Sequence, residues 1–161
     1  WRGSTLGGWA LTDIGTHSID LALWLLAEPA QIAYARADNF KFADVAGEDT
    51  AIVLLETPSG AVATVETSNA MASFPGTVEV HGLDGWLRAD GSFDGGGSVL
   101  TSEGERRRFP ETTMADAYAG SLRDFVAAVA GRESVGATAA DGAANVEIVE
   151  RAAAPRRGRN A

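Results

Sequence analysis

The chain of 161 residues has no cysteine. Disulfides, zinc–thiolate centres, iron–sulfur clusters and cysteine nucleophiles are therefore excluded. The absence fits a reducing compartment, and a cytoplasmic location is expected. Long apolar runs are also missing. The longest, Leu21 to Ala27, has seven residues, far short of the roughly 20 that a membrane-spanning helix needs, so no membrane partner is expected. Histidine is scarce. His17 and His81 are the only two, and nothing in their spacing brings them together, so no metal site is expected. No G-x-G-x-x-G and no strand–helix–strand alternation occur, which leaves the chain without a dinucleotide-binding half of its own. Positive charge is in deficit as well. The net charge of −9 includes four arginines among the last eleven residues, leaving −13 on residues 1–150. A body that acidic repels phosphate backbones, and nucleic acid is not an expected partner.

What is present is the composition of a globular domain, with 45% apolar and 22% charged residues. The segment from Asp13 to Ala27 is free of proline and rich in Leu, Ile and Ala, and it reads as a helix ended by Pro29. Short β runs follow at Gln31–Asp38, Asp49–Glu56, Ala61–Ser68, Thr77–Gly82, Gly85–Asp90, Ser98–Thr101 and Arg106–Phe109. Pro58-Ser59-Gly60 and Gly82-Leu83-Asp84-Gly85 sit between runs at turn distance. After Pro110 the helical period returns. Tyr118, Leu122, Phe125, Val126 and Val129 share one helix face, with Gly131 as the stop. A last helix covers about Asp141 to Ala153, with Asp141 as N-cap and Val146, Val149 and Ala153 on one side. Grouped strands between helices predict an α+β fold: an open-faced, largely antiparallel mixed sheet with helices packed on one face. Residues 1–153 form the domain, and 154–161 form a basic, frayed tail. Trp1-Arg2-Gly3 reads as the middle of a longer polypeptide.

The first helix carries the chemistry. At 100° per residue, Asp13, Thr16, His17 and Asp20 fall within a stripe about 100° wide, and most of the remaining circumference is apolar. Such a helix is expected to be largely buried, with its polar stripe meeting solvent or lining a cleft. Asp13 and His17 are four residues apart, so their side chains are neighbours. A carboxylate beside an imidazole favours the protonated ring, which suits general acid–base work on an alcohol or ketone. The bland alternative is a solvated Asp–His pair of the kind common on exposed helix faces. Gly15 between them weakens the helix by roughly 1 kcal/mol relative to Ala, which makes sense if another backbone or a ligand must come close. Trp24 lies at the edge of the stripe and reads equally as cleft floor or core. Arg2, just ahead of the Gly7-Gly8 turn, is a candidate contact for a polyhydroxy or anionic substrate. His81 alternates with Val78 and Val80 and reads as a surface residue.

The stretch Trp1-Arg2, Gly7-Gly8-Trp9, then Ala10-Leu11-Thr12-Asp13-Ile14-Gly15-Thr16-His17-Ser18-Ile19-Asp20 resembles the opening of the C-terminal domain of the Gfo/Idh/MocA family, that of glucose–fructose oxidoreductase and inositol dehydrogenase. Gly47-Glu48-Asp49-Thr50-Ala51, Val78-Glu79-Val80-His81-Gly82-Leu83-Asp84-Gly85 and the two closing helices are similar to later parts of the same domain. The resemblance implies an NAD- or NADP-dependent oxidoreductase acting on a sugar, inositol or related polyol, with the cofactor held by an N-terminal Rossmann domain. It implies that His17 moves the hydroxyl proton, that Asp13 orients the substrate or the imidazole, and that Asp20 supports them. A lysine from a Lys-Pro motif in the other domain would assist; Lys41, the only lysine here, lies in no such motif. Trp9 replaces the third glycine of the turn and would narrow the substrate entrance. Two readings follow. One is the catalytically incomplete half of such a dehydrogenase, inactive alone and homo-oligomeric through its open sheet face, where an apolar patch would otherwise meet water. The other is a stand-alone, non-catalytic module that self-associates or binds a sugar-like ligand.

Overall fold

The computed structural model describes residues 9–71, 76–91, 97–110 and 113–153. The chain falls into two units, residues 1–71 with 137–161 and residues 72–136.

The first unit begins with one π-helical turn, Leu11–Gly15, continued by helix α1, Thr16–Leu26. Ala27 ends α1 in the left-handed region with φ 55°, its N–H donating to the Leu23 carbonyl at 3.1 Å. That conformation is more often given to glycine. Pro29 follows, as the sequence predicts. Strands β1 (Gln31–Asp38), β2 (Thr50–Glu56) and β3 (Val62–Ser68) form an antiparallel sheet in the order β1-β2-β3. Alternation along β2 buries Ala51, Val53 and Leu55, and Val65 and Thr67 of β3 share that face. A register shift between Ile32 and Tyr34 turns Ile32 inward as well, so that both it and Ala35 pack against the core.

Leu11, Ile19 and helix α3 (Ala139–Ala153) close over the same face with Ile148, Val149 and Ala152. The opposite face carries Tyr34, Arg36, Ile52, Leu54, Thr64 and Glu66. Helices therefore pack on one face of this sheet, and on the other Tyr34 and Ile52 are exposed. The buried side of α3 is Asn145, Ile148, Val149 and Ala152, with Val146 exposed, so the helix is rotated from the face that its apolar residues alone suggest. Asp141 is not an N-cap. It sits inside the first turn, where its carboxylate accepts from the Thr138 N–H and hydroxyl while its own N–H donates back to the Thr138 hydroxyl.

The second unit holds β4 (Val78–Gly82), β5 (Gly85–Asp90), β6 (Ser98–Thr101) and β7 (Arg106–Arg108), a four-stranded antiparallel meander. Its register puts Val78, Val80, Leu87, Ala89 and Val99 on one face. Glu79, His81, Arg88 and Asp90 lie on the other, where Arg88 pairs with both acids. His81 is exposed beside Glu79, a surface residue as its alternation predicts. Helix α2 (Met114–Val129) opens with a reciprocal Thr113–Asp116 capping box and ends at Gly131, φ 68°. Its apolar stripe, Tyr118, Leu122, Phe125, Val126 and Val129, is exposed along its whole length. Every strand pairing among the described residues is antiparallel, which gives the α+β class expected from grouped strands.

Candidate functional site

The site is built on the π-turn and the first turns of α1. Widened turns of this kind recur at functional positions. Here the wide turn moves Asp13 off the uniform 100° spacing, although it remains one turn ahead of His17. Gly15 within it is buried. A Cβ there would lie 3.1 Å from Thr67 Cγ2 and 3.2 Å from the Ala10 carbonyl oxygen. The glycine therefore makes room for the Thr67 side chain of β3 and for the Ala10 carbonyl of its own segment, where the sequence leads one to expect another segment's backbone or a ligand.

Three side chains from outside the helix hold this segment. Glu48 Oε1 accepts from the backbone N–H groups of Trp9 and Leu11, both at 2.8 Å, and the Glu48 carbonyl accepts from Ala10 N–H at 3.0 Å. Helix-start donors are left without intrahelical partners, and a carboxylate there also meets the positive end of the helix dipole. The Thr67 hydroxyl donates to the Ala10 carbonyl at 3.3 Å. Asn145 of α3, which is buried, donates its amide N–H to the Thr16 carbonyl at 2.9 Å and accepts from the Thr16 hydroxyl at 3.4 Å. Thr16 is thus drawn toward α3, and the polar stripe narrows to Asp13, His17 and Asp20.

Of these three, His17 is exposed and Asp13 and Asp20 are half-buried. Trp24, 71% exposed, belongs to neither a core nor a closed cleft floor within the described residues. Beyond Ile19, the rest of α1 is only partly covered, so the helix is less buried than its apolar circumference predicts. Trp9 stands one turn before Asp13 and accepts that residue's N–H at its carbonyl, 3.0 Å. Its ring meets Phe42 with centroids 5.2 Å apart and planes tilted by 59°. Lys41 places its ammonium 5.1 Å from the Phe42 ring centre. Arg2 lies outside the described residues.

The loop that brings Phe42 here is fixed by Asp49. This carboxylate is fully buried at the start of β2 and accepts from the N–H groups of Phe40 at 3.1 Å, Lys41 at 2.7 Å and Phe42 at 3.0 Å, and from the Thr50 hydroxyl at 2.9 Å. Burial alone would push its carboxyl up, but these donors outweigh it and hold the group down at about 2. Sequence reasoning reads Glu48 and Asp49 only as a strand start and does not single out Asn145 or Thr67. The one available signal is two adjacent acids immediately before an apolar strand, a costly placement unless both are hydrogen-bonded.

No group of three or more metal-ligating side chains gathers among the described residues. Nor do they form a cradle for a dinucleotide. No strand there runs through a glycine turn into a helix, as pyrophosphate binding requires. No described helix is long and apolar enough to cross a membrane. The arrangement brings an exposed imidazole, two half-buried carboxylates and the Trp9–Phe42 aromatic pair to one stretch of the first unit.

Residues 1–88 match the family model described as the GFO/IDH/MocA C-terminal domain. The chain is 28% identical over 153 residues to an inositol 2-dehydrogenase from Rhizobium meliloti, covering 90% of this chain and 46% of that protein. Among solved structures it is similar to the aldose-aldose oxidoreductase from Caulobacter crescentus complexed with glycerol, with TM-score 0.73 and 25% identity, covering 94% of this chain and 47% of that one. The fold is also that of a mutant 3-ketoreductase from Actinomadura kijaniata in complex with TDP-benzene and NADP, with TM-score 0.72 and 24% identity, covering 89% of this chain and 46% of that one. The chain spans less than half the length of each of these proteins.

Proposed function

This chain belongs to the GFO/IDH/MocA oxidoreductase family through that family's C-terminal domain, and on that premise we propose that it is the substrate-binding part of an NAD(P)-dependent dehydrogenase acting on a sugar, inositol or related polyol. The observation that carries the reading is the exposed His17 one turn beyond Asp13, on a helix start held from three sides. His17 takes the hydroxyl proton as the alcohol becomes a ketone, and returns it in the reverse direction. Asp13 and Asp20 orient the imidazole and the substrate hydroxyls, with Trp9 narrowing the approach. NAD or NADP supplies the hydride acceptor and is held by a separate dinucleotide-binding domain of the intact, cytoplasmic protein. Residues 1–153 act as the substrate and assembly domain.

The test is an assay of the intact polypeptide with myo-inositol, glucose and related sugars, using NAD+ and NADP+ in turn and following reduced nicotinamide. Saturable turnover on at least one cyclic polyol or sugar is expected, and none from residues 1–161 alone. An intact polypeptide that turns over none of them, while the chain still binds myo-inositol, would favour the stand-alone binding module.

Assembly through the Tyr34–Ile52 face of the β1-β2-β3 sheet is part of the same proposal. Tyr34 and Ile52 are exposed on that face beside half-buried Leu54, an apolar patch that a second copy would cover. The chain is expected to scatter light as a dimer or larger, and Ile52→Arg to return it to 16.7 kDa. A wild-type chain that stays at that mass at high concentration contradicts this assembly.

A further inference from the structure

Glu48 and Asp49 are neighbours in sequence, yet they hold two different segments. Glu48 takes the N–H groups of Trp9, Ala10 and Leu11, and Asp49 takes those of Phe40, Lys41 and Phe42. The two segments meet where Trp9 touches Phe42, at 5.2 Å between ring centres. The Glu48 contact is far from local: Trp9 lies 39 residues from Glu48. Satisfying three successive N–H groups with one side chain and its carbonyl leaves the helix start a single position relative to β2. A fixed aromatic pair one turn before Asp13 offers the C–H face of a ring polyol a rigid surface at little entropic cost.

We propose that Glu48 is a positioning residue for the Asp13–His17 face, and that with Asp49 it sets the Trp9–Phe42 pair as the wall against which a cyclic polyol or sugar ring is received. The ligand class rests on the function proposed above, whereas the positioning rests on the hydrogen bonds alone. The carboxylate reaches both Trp9 N–H and Leu11 N–H with one oxygen, so the length of the side chain matters more than its charge. Glu48→Gln keeps an acceptor oxygen at the same reach. Glu48→Asp withdraws it by one methylene, and Glu48→Ala removes it.

The test is nuclear magnetic resonance on the full 161-residue chain, with the Trp9 indole assigned through Trp9→Phe and the His17 ring through His81→Gln. Myo-inositol is the probe ligand. Glu48→Ala and Glu48→Asp are expected to displace the Trp9 indole and His17 ring resonances and to weaken myo-inositol binding about tenfold. Glu48→Gln is expected to keep both near their wild-type positions. Phe42→Ala is expected to weaken binding with the His17 resonances in place. If Glu48→Ala fails to fold, the comparison of Asp with Gln decides. Trp9 and His17 resonances that are unmoved in Glu48→Asp, or moved as far in Gln as in Asp, overturn the positioning role whatever its effect on melting temperature. A wild-type chain that binds no myo-inositol, while the resonances follow the expected pattern, overturns the wall and the ligand class and leaves the positioning standing.

Discussion

In the intact polypeptide, His17→Asn is expected to lower turnover of the polyol or sugar substrate by about 10²–10⁴-fold while leaving KM within a few-fold. Asparagine keeps a hydrogen-bonding side chain of similar size but cannot take up a proton near neutral pH. The loss therefore falls on the chemical step and not on binding. His17 is exposed, so its replacement removes no packing and leaves no buried group unsatisfied. The variant chain is expected to unfold at the wild-type urea midpoint, which separates a chemical role from a structural one. Asp13→Asn should cost less, about tenfold, because an amide can still hydrogen-bond the substrate hydroxyl. Steady-state kinetics against the substrate found in the panel assay provide the check. Normal turnover in His17→Asn would remove His17 as the proton carrier, and a raised KM with kcat unchanged would mark it as a binding residue.

The elements of this protein were largely legible because their signals are local. β1, β5 and β6 occupy the runs Gln31–Asp38, Gly85–Asp90 and Ser98–Thr101 that alternation and turn residues predict. The apolar period of α2 and the stop at Gly131 are equally local. What was not legible depends on partners far along the chain. Asn145 is polar and would be assigned outward on any apolar count, yet it is buried because Thr16, 129 residues away, satisfies both ends of its amide. The Asn145 pairing lies on the same face of α3 as Ile148, Val149 and Ala152, which pack into the core. The π-turn has no periodic signature, and the crowding of Gly15 by Thr67 and the Ala10 carbonyl depends on a strand more than fifty residues away. The division of the strands between a three-stranded and a four-stranded sheet is a matter of pairing, which alternation within a strand does not specify. The Asp13–His17 spacing was readable, whereas the Glu48 and Asp49 contacts that support it were not, because two adjacent acids carry no hint of which backbone donors they will meet.

Asp49→Ala is expected to destabilise the chain by about 2–3 kcal/mol at pH 7, because it leaves the N–H groups of Phe40, Lys41 and Phe42 without their acceptor. The acid behaviour distinguishes this from a generic loss. The Asp49 carboxyl is held at about 2 in the folded chain, against 3.8 for an ordinary aspartate. A group whose folded value is depressed stabilises the protein fully above its unfolded value, and that contribution fades as the pH falls from about 4 toward 2. Other acids that are also lowered, among them Asp38, Asp90 and Asp116, add to the acid loss in wild type and variant alike. The Asp49 share is therefore the difference between the two curves. Urea midpoints measured from pH 7 to pH 2.5 should converge for wild type and Asp49→Asn as the pH drops below about 4, the wild type falling faster. The amide in Asp49→Asn has one acceptor oxygen in place of two and presents its NH₂ to a loop that offers only donors, so that variant is expected to be weakened at neutral pH as well. Parallel curves across the range would mean that Asp49 contributes no pH-dependent stability. An unchanged midpoint for Asp49→Ala at pH 7 would mean that the loop carrying Phe42 holds its place without this carboxylate.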